Sequence, residues 1–181
     1  MAEIDDTPEQ ALSAPTPLTP DHDLSAFDCG EPALDDWLRH RALKNESRFS
    51  RTYVVCDANK VVAYFCISAG SVERGMVPGR IRRNAPDPVR VSVIGRLAVS
   101  RDHAGKGLGA DLLADALCRI ASASRILGIG AVMVHAQDDE ARRFYLHCAE
   151  FIDYPADSRT LFLPIETVVE SVTHATAAPH V

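Results

Sequence analysis

Leu97-Ala-Val-Ser-Arg-Asp-His-Ala-Gly-Lys-Gly-Leu-Gly-Ala-Asp-Leu-Leu113 decides the reading of this 181-residue chain. A β-like run stops at Val99, a loop with Gly105, Gly107 and Gly109 follows, and an amphipathic helix begins at once. Glycine has no Cβ, so such a backbone comes close to a ligand and turns its N–H groups toward it. Those N–H groups open onto a helix N-terminus, which carries roughly half a positive charge. The combination is an anion cradle, best suited to a phosphate or pyrophosphate.

Two phosphate-binding patterns fail against it. A P-loop needs Gly-x-x-x-x-Gly-Lys followed by Ser or Thr. Here Lys106 precedes Gly107, and position 100 is Ser. Gly105-x-Gly107-x-x-Ala110 formally fits a dinucleotide fingerprint, but that pattern also wants a carboxylate about 20 residues on. Position 125 is Arg, and no acid lies between Asp115 and Asp138. A glycine-rich turn without a ligand stays open as an alternative.

Working outward, Gly107–Ser122 carries an apolar stripe of Leu108, Leu112, Leu113, Ala116, Leu117 and Ile120, which predicts a helix. Val89–Val99 before it reads as a long strand, with Gly95 as a site for a bulge. Arg51–Asp57 and Val61–Ala69 flank Asp57-Ala-Asn-Lys60 as a hairpin. Pro32 opens a helix containing Leu34, Trp37, Leu38, Arg41 and Ala42. Residues 73–88, with Pro78, Pro86 and Pro88, read as a polar loop. Downstream, Gly130–Ala136 is a buried strand, Asp138 caps a helix reaching about His147, and Thr160–Ile165 is a last strand. The expected domain covers 18–166, between a disordered acidic, proline-rich tail at 1–17 and a loose tail at 167–181. Helices and strands in this order predict an α/β fold around a mixed sheet.

Composition sets the outer bounds. A chain of this length buries about 70% of its unfolded surface and needs no staple. Its five cysteines are odd in number and lack any Cys-x-x-Cys pair. That speaks against a disulfide framework or a metal site and for a reducing compartment. Without an apolar span or a leader-like N-terminus, the expectation is a cytoplasmic protein with no membrane partner. Net charge is −6, yet residues 73–101 balance at +5 and residues 39–51 at +4. Such segregation places a basic surface on an acidic protein, or equally a set of solvated loop charges.

The loop resembles the acetyl-CoA motif of the GNAT superfamily of N-acetyltransferases, Gln/Arg-x-x-Gly-x-Gly/Ala, mapped onto Ala104-Gly-Lys-Gly107-Leu-Gly109. Ala104 stands where Gln or Arg is usual, and Arg101 is a nearby source of the missing charge. Ala141-Arg-Arg-Phe-Tyr145 resembles the Ala-x-x-Phe-Tyr signature of the same family. Phe27-x-Cys29-Gly30, Leu34-Asp35-x-Trp37-Leu38, Asn45, Ser50-Arg-Thr-Tyr53 and Gly95-Arg-Leu-Ala-Val99 complete a set similar to the GNAT-type toxins of bacterial toxin–antitoxin modules. Phe49, where a small residue is common, and the longer Ala149-Glu-Phe151 exit depart from it.

The resemblance implies a mostly antiparallel mixed sheet flanked by helices. It implies acetyl-CoA held by Leu97, Ala98, Val99, Ala104, Gly105, Lys106, Gly107, Leu108, Gly109 and Ala110, with Tyr145 as the acid that protonates the departing thiolate. It further implies acetylation of the α-amino group of aminoacyl-tRNA and a block of translation. The implied partners are a ribbon-helix-helix antitoxin, operator DNA through the antitoxin complex only, and a second copy in a homodimer. Arg82, Arg83, Arg90 and Arg96 are the candidate tRNA contacts, Arg96 being equally readable as a structural ion-pair partner. An ordinary GNAT enzyme acting on a protein or small amine, and a non-catalytic coenzyme-binding module, are the alternatives.

The chemistry agrees with these assignments. A phenol near 10 donates to a thiolate whose thiol titrates near 8.5. A lysine amine is roughly 0.1% neutral near pH 7.4, whereas an α-amine near 7.8 is some hundredfold more available. Such an acceptor needs no strong base, and Val91–Val99 contains no Asp or Glu. His135, at a strand end beside the proposed cleft, reads either as a proton relay or as a satisfied structural histidine, and His103 as solvent-facing.

Overall fold

A computed structural model describes residues 11–177. A seven-stranded sheet runs through the molecule in the order β1-β2-β3-β4-β5-β7-β6. The strands are β1 (Thr16–Pro17), β2 (Arg51–Asp57), β3 (Lys60–Val72), β4 (Val89–Val99), β5 (Ala131–His135), β6 (Ile152–Asp153) and β7 (Thr160–Pro164). Among these strands of the described residues, β4 and β5 pair in parallel and the other pairs are antiparallel.

The sheet is covered on both faces. On one lies α4 (Leu108–Ala123), whose Leu112, Leu113, Ala116 and Ile120 pack on Phe65, Ile94, Val132 and Val134. On the other lies α1 (Pro32–Trp37), which continues through a π-helical turn at Leu38–Ala42 into α2 (Leu43–Glu46). Trp37 and Leu38 pack there with Phe27, Val54, Tyr64 and Ala98. Trp37 stacks on Tyr64 at 5.9 Å between ring centroids, and the Tyr64 hydroxyl donates to the Leu34 carbonyl at 2.9 Å.

Gly95 forms the expected bulge. Cys66 pairs with Arg96 and Ile67 with Ile94, so Gly95 is the unpaired extra residue. A Cβ there would sit 3.2 Å from the Cys66 sulfur. The pairing of β4 with β5 ends at Ile94 and Val134. Past the bulge β4 runs on against β3 alone, and a cleft opens between β4 and β5.

Three segments differ from their sequence reading. Residues 73–88 are a packed cap with a 3-10 turn at Arg74–Met76 and a short helix, α3 (Gly79–Arg82); Val77 and Ile81 bury against Val89, Val91 and Phe162. Ile165–Ala177 is α6, docked on α4 through Val168, Val169 and Val172, where the sequence predicts the end of the last strand at Ile165 and a loose tail from residue 167 on. At the other end the Ser13 N–H bonds the Cys56 carbonyl at 2.9 Å, Thr16 and Pro17 pair with Val54 and Tyr53, and Leu18 is buried, so the expected tail is tied to the sheet from Ser13 on. Residues 1–10 and 178–181, the remainder of the two expected tails, lie outside the described residues.

Candidate active site

The cleft holds about 710 Å³ and is walled by four pieces of chain. The first is the bulged stretch of β4, from which Ile94, Gly95, Arg96, Leu97 and Val99 line it. The second is the glycine loop. Ser100 leaves β4 with its N–H bonded to the Val62 carbonyl at 2.8 Å, and Arg101–His103 make a 3-10 turn. Gly105 (φ 75°) and Gly107 (φ 84°) then take left-handed conformations that favour glycine. Both are open on the side where a Cβ would project. Gly107 is the N-cap of α4, so the first-turn N–H groups face the cleft without intrahelical acceptors. Ala104, Leu108 and Ala110 line the cleft beside them.

Gly109 differs from the other two glycines. A Cβ there would meet Phe144 of α5 (Asp139–Cys148) at 3.5 Å, an ordinary van der Waals contact. Gly109 still lines the cleft, whereas Ala98 and Lys106 are outside the lining. Ala98 points into the layer beneath α1, since alternate strand residues face opposite sides, and Lys106 is exposed. Arg101 does not replace the cation missing at Ala104: it pairs with Asp28 at 3.0 Å, outside the cleft lining.

The third wall is α5, which starts as expected: the Asp138 side chain accepts the Ala141 N–H at 2.7 Å. Tyr145 lines the cleft from it and is 8% exposed. Its ring meets Phe144 edge-on at 5.2 Å and Phe151 at 5.7 Å. The longer exit is accommodated after the helix ends at Cys148, where Phe151 turns back to close the far side of the tyrosine. Burial, with smaller contributions from the Cys66 and Cys148 thiols, pushes the phenol well above its ordinary value. Tyr145 therefore holds its proton at neutral pH and is a donor at a buried point of the cleft.

The fourth wall belongs to α1 and the turn before it: Cys29, Glu31 and Leu34. Facing it are His135, the last residue of β5, and Gln137 just beyond it. His135 is bonded to Thr160 at 3.1 Å, and His103 to Ser100 at 2.9 Å while lining the cleft. Burial raises the Cys29 thiol to about 11, which keeps it from acting as a thiolate. No sequence periodicity links Glu31 with Gln137; folding alone brings them together.

The four arginines separate. Arg96 lines the cleft, its guanidinium 4.3 Å from the Trp37 ring, and among the described residues it makes no ion pair with a carboxylate. Arg90 lines a second groove, with Arg48, Arg51 and Arg119, at the opposite end of α4. Arg82 bonds the Val77 carbonyl and the Tyr154 hydroxyl, and Arg83 is exposed. Among the described residues no group of His, Cys, Asp or Glu is arranged to hold a metal, and no helix is long and apolar enough to cross a membrane.

The acetyltransferase (GNAT) family profile matches residues 17–151. The tRNA-acetylating toxin of Mycobacterium tuberculosis (strain ATCC 25618 / H37Rv) is 45% identical over 152 residues, covering 83% of this chain and 91% of that one. The structure of AtaT complexed with acetyl-methionyl-tRNAfMet superposes with a TM-score of 0.80 at 28% identity, over 92% of this chain and all of the other. AtaTR bound with AcCoA superposes with a TM-score of 0.75 at 30% identity, over 90% and 98%. With a family profile over most of its length and a relative at 45% identity, the chain belongs to the acetyltransferase (GNAT) family.

Proposed function

We propose that this protein is an acetyl-CoA-dependent N-acetyltransferase toxin that acetylates the α-amino group of aminoacyl-tRNA and so blocks translation. The observation that carries this reading is the placement of a buried, protonated Tyr145 in the same cleft as the open, left-handed Gly105 and Gly107.

The residues fit the cofactor. First-turn N–H groups of α4 and the loop amides around Gly105 and Gly107 supply donors for a pyrophosphate. Leu97 and Val99 supply the β4 edge of the path. When bound, acetyl-CoA supplies an acyl thioester. Tyr145 gives a proton to the sulfur that leaves, and Phe144 and Phe151 hold its ring in place. Bulk solvent is largely excluded from the tyrosine, which strengthens that hydrogen bond. An acceptor amine titrating near neutrality is already available as a nucleophile, consistent with the absence of a carboxylate on Val91–Val99.

A protein of this kind acts in the cytoplasm, as a homodimer, and is neutralised by a ribbon-helix-helix antitoxin that alone brings it to operator DNA. The relatives that acetylate or bind tRNA support this assignment. Arg96 is the tRNA contact best placed for the acceptor end, because it lines the cleft itself. The deciding measurement is mass spectrometry of bulk charged tRNA incubated with acetyl-CoA and the protein. The expected result is a 42 Da gain on the aminoacyl moiety. Unchanged charged tRNA, with acetyl-CoA turned over on other amines, overturns the tRNA assignment and leaves an ordinary acetyltransferase.

A further inference from the structure

Glu31 and Gln137 are 106 residues apart in sequence, yet the Gln137 side-chain amide donates to Glu31 Oε2 at 2.8 Å. Glu31 is the N-cap residue of α1 and Gln137 follows β5, and both line the cleft. The bond therefore spans the gap that opens past Gly95.

The backbone at both ends is held, while the two side chains that meet are exposed. Gly30 (φ 91°) turns the chain into Glu31, its N–H bonded to Asp28 at 2.9 Å, while the Cys29 N–H reaches the buried Asp35 at 3.0 Å. The Glu31 carbonyl accepts the N–H groups of Leu34 and Asp35. Across the gap, the Gln137 carbonyl accepts from Arg159 at 3.0 Å, and the Ala136 N–H bonds the Arg159 carbonyl at 2.7 Å.

Three carboxylates line the cleft: Glu31, Asp138 and Glu140. Asp138 is committed to capping α5, and Glu140 sits in that helix's first turn, where it offsets the helix dipole. Glu31 stands on the opposite wall. A carboxylate accepts about four hydrogen bonds, and Gln137 takes one of them. Arg96, stacked on Trp37, gives the same cleft a cation. Acid and base on one cleft match an α-amino ester of a nucleotide, whose amine donates N–H bonds a few atoms from an anionic phosphate. An amine already acylated has lost donors that such a carboxylate would accept.

We propose that Glu31, held across the cleft by Gln137, forms the subsite that receives the acceptor's α-amine. This rests on the aminoacyl-tRNA reading above. Glu31 accepts an N–H bond and Gln137 is a positioning residue; neither is consumed. The amine nitrogen forms the new C–N bond as the C–S bond breaks, and the proton it sheds balances the one the sulfur gains.

The test is steady-state kinetics of the full chain on bulk charged tRNA between pH 6 and 9, with acetyl-CoA affinity measured separately by calorimetry. Glu31→Gln should raise the acceptor KM about tenfold, the loss expected for one hydrogen bond to a charged group. Acetyl-CoA affinity should stay within about twofold. The rising limb of kcat should move to lower pH, because a carboxylate beside an amine favours its protonated form. Gln137→Ala should raise KM less and leave the limb in place, since the charge remains. Should Glu31→Gln fail to fold, Glu31→Asp serves instead, with KM raised and the limb unmoved. An active wild type whose Glu31→Gln variant keeps acceptor KM and pH profile overturns the subsite alone. So does a parallel loss of acetyl-CoA affinity. A wild type that leaves charged tRNA unacetylated overturns the function and the subsite together.

Discussion

The two sides of the cleft are built by different means. The side proposed to face the coenzyme is largely backbone: two left-handed glycines, the bare N-terminus of α4 and the bulged edge of β4. The side proposed to face the acceptor is side chains, Glu31, Leu34, Arg96 and Gln137, each positioned by contacts distant in sequence. On that reading backbone geometry recognises the coenzyme's diphosphate and thioester. Side chains carry the choice of acceptor. Variants on the first side should therefore alter cofactor binding or chemistry, and variants on the second should alter acceptor use alone.

The largest effect is expected at Tyr145, where the two sides meet. Tyr145→Phe keeps the ring packed between Phe144 and Phe151 and removes only the hydroxyl. Loss of a general acid should lower kcat by about 10²–10⁴. Acetyl-CoA affinity should stay within about twofold, and in cells the variant should no longer arrest growth. Equal kcat for the two proteins would remove Tyr145 from the chemistry.

A smaller and more discriminating effect separates the glycines. Gly107→Ala forces a Cβ into a left-handed residue, at about 1–2 kcal/mol, and projects it toward the cradle. Acetyl-CoA affinity should fall about tenfold. Gly109→Ala places its Cβ in ordinary contact with Phe144 and should change affinity less than about twofold. Equal losses at both positions, read by calorimetry, would mean that the Gly109 Cβ intrudes on the ligand as much as the Gly107 one.

That contrast also marks what the sequence makes legible. Short-range signals came through: the Asp57–Lys60 hairpin, the α4 stripe, the Asp138 cap and the Gly95 bulge are each decided within a few residues. The segment that became α6 shows why others did not. Ile165, Val168, Val169 and Val172 have helical spacing, but β-branched residues and threonines have weak helix propensity, and burial on α4 supplies the missing stability. The acceptor side is harder still. Nothing near Glu31 announces a partner 106 residues away, and the basic run 73–101 disperses in space: Arg96 reaches the cleft, Arg90 another groove, and Arg82 a tyrosine. Composition counts charges; only topology says where they go.

The smallest expected effect is an absence. If Tyr145 had the ordinary phenol value near 10, its ionisation would end the reaction in mildly alkaline solution and give kcat a falling limb there. Burial raises it, so the phenol stays protonated, and able to donate, past that point. The pH profile of kcat should thus rise as the acceptor amine deprotonates and remain flat between about pH 9 and 10. A descending limb in that window, present in the wild type and tied to Tyr145, would mean that water reaches the tyrosine more freely than its packing between Phe144 and Phe151 allows. The distinction between a closed chemical centre and an open acceptor side would then fail.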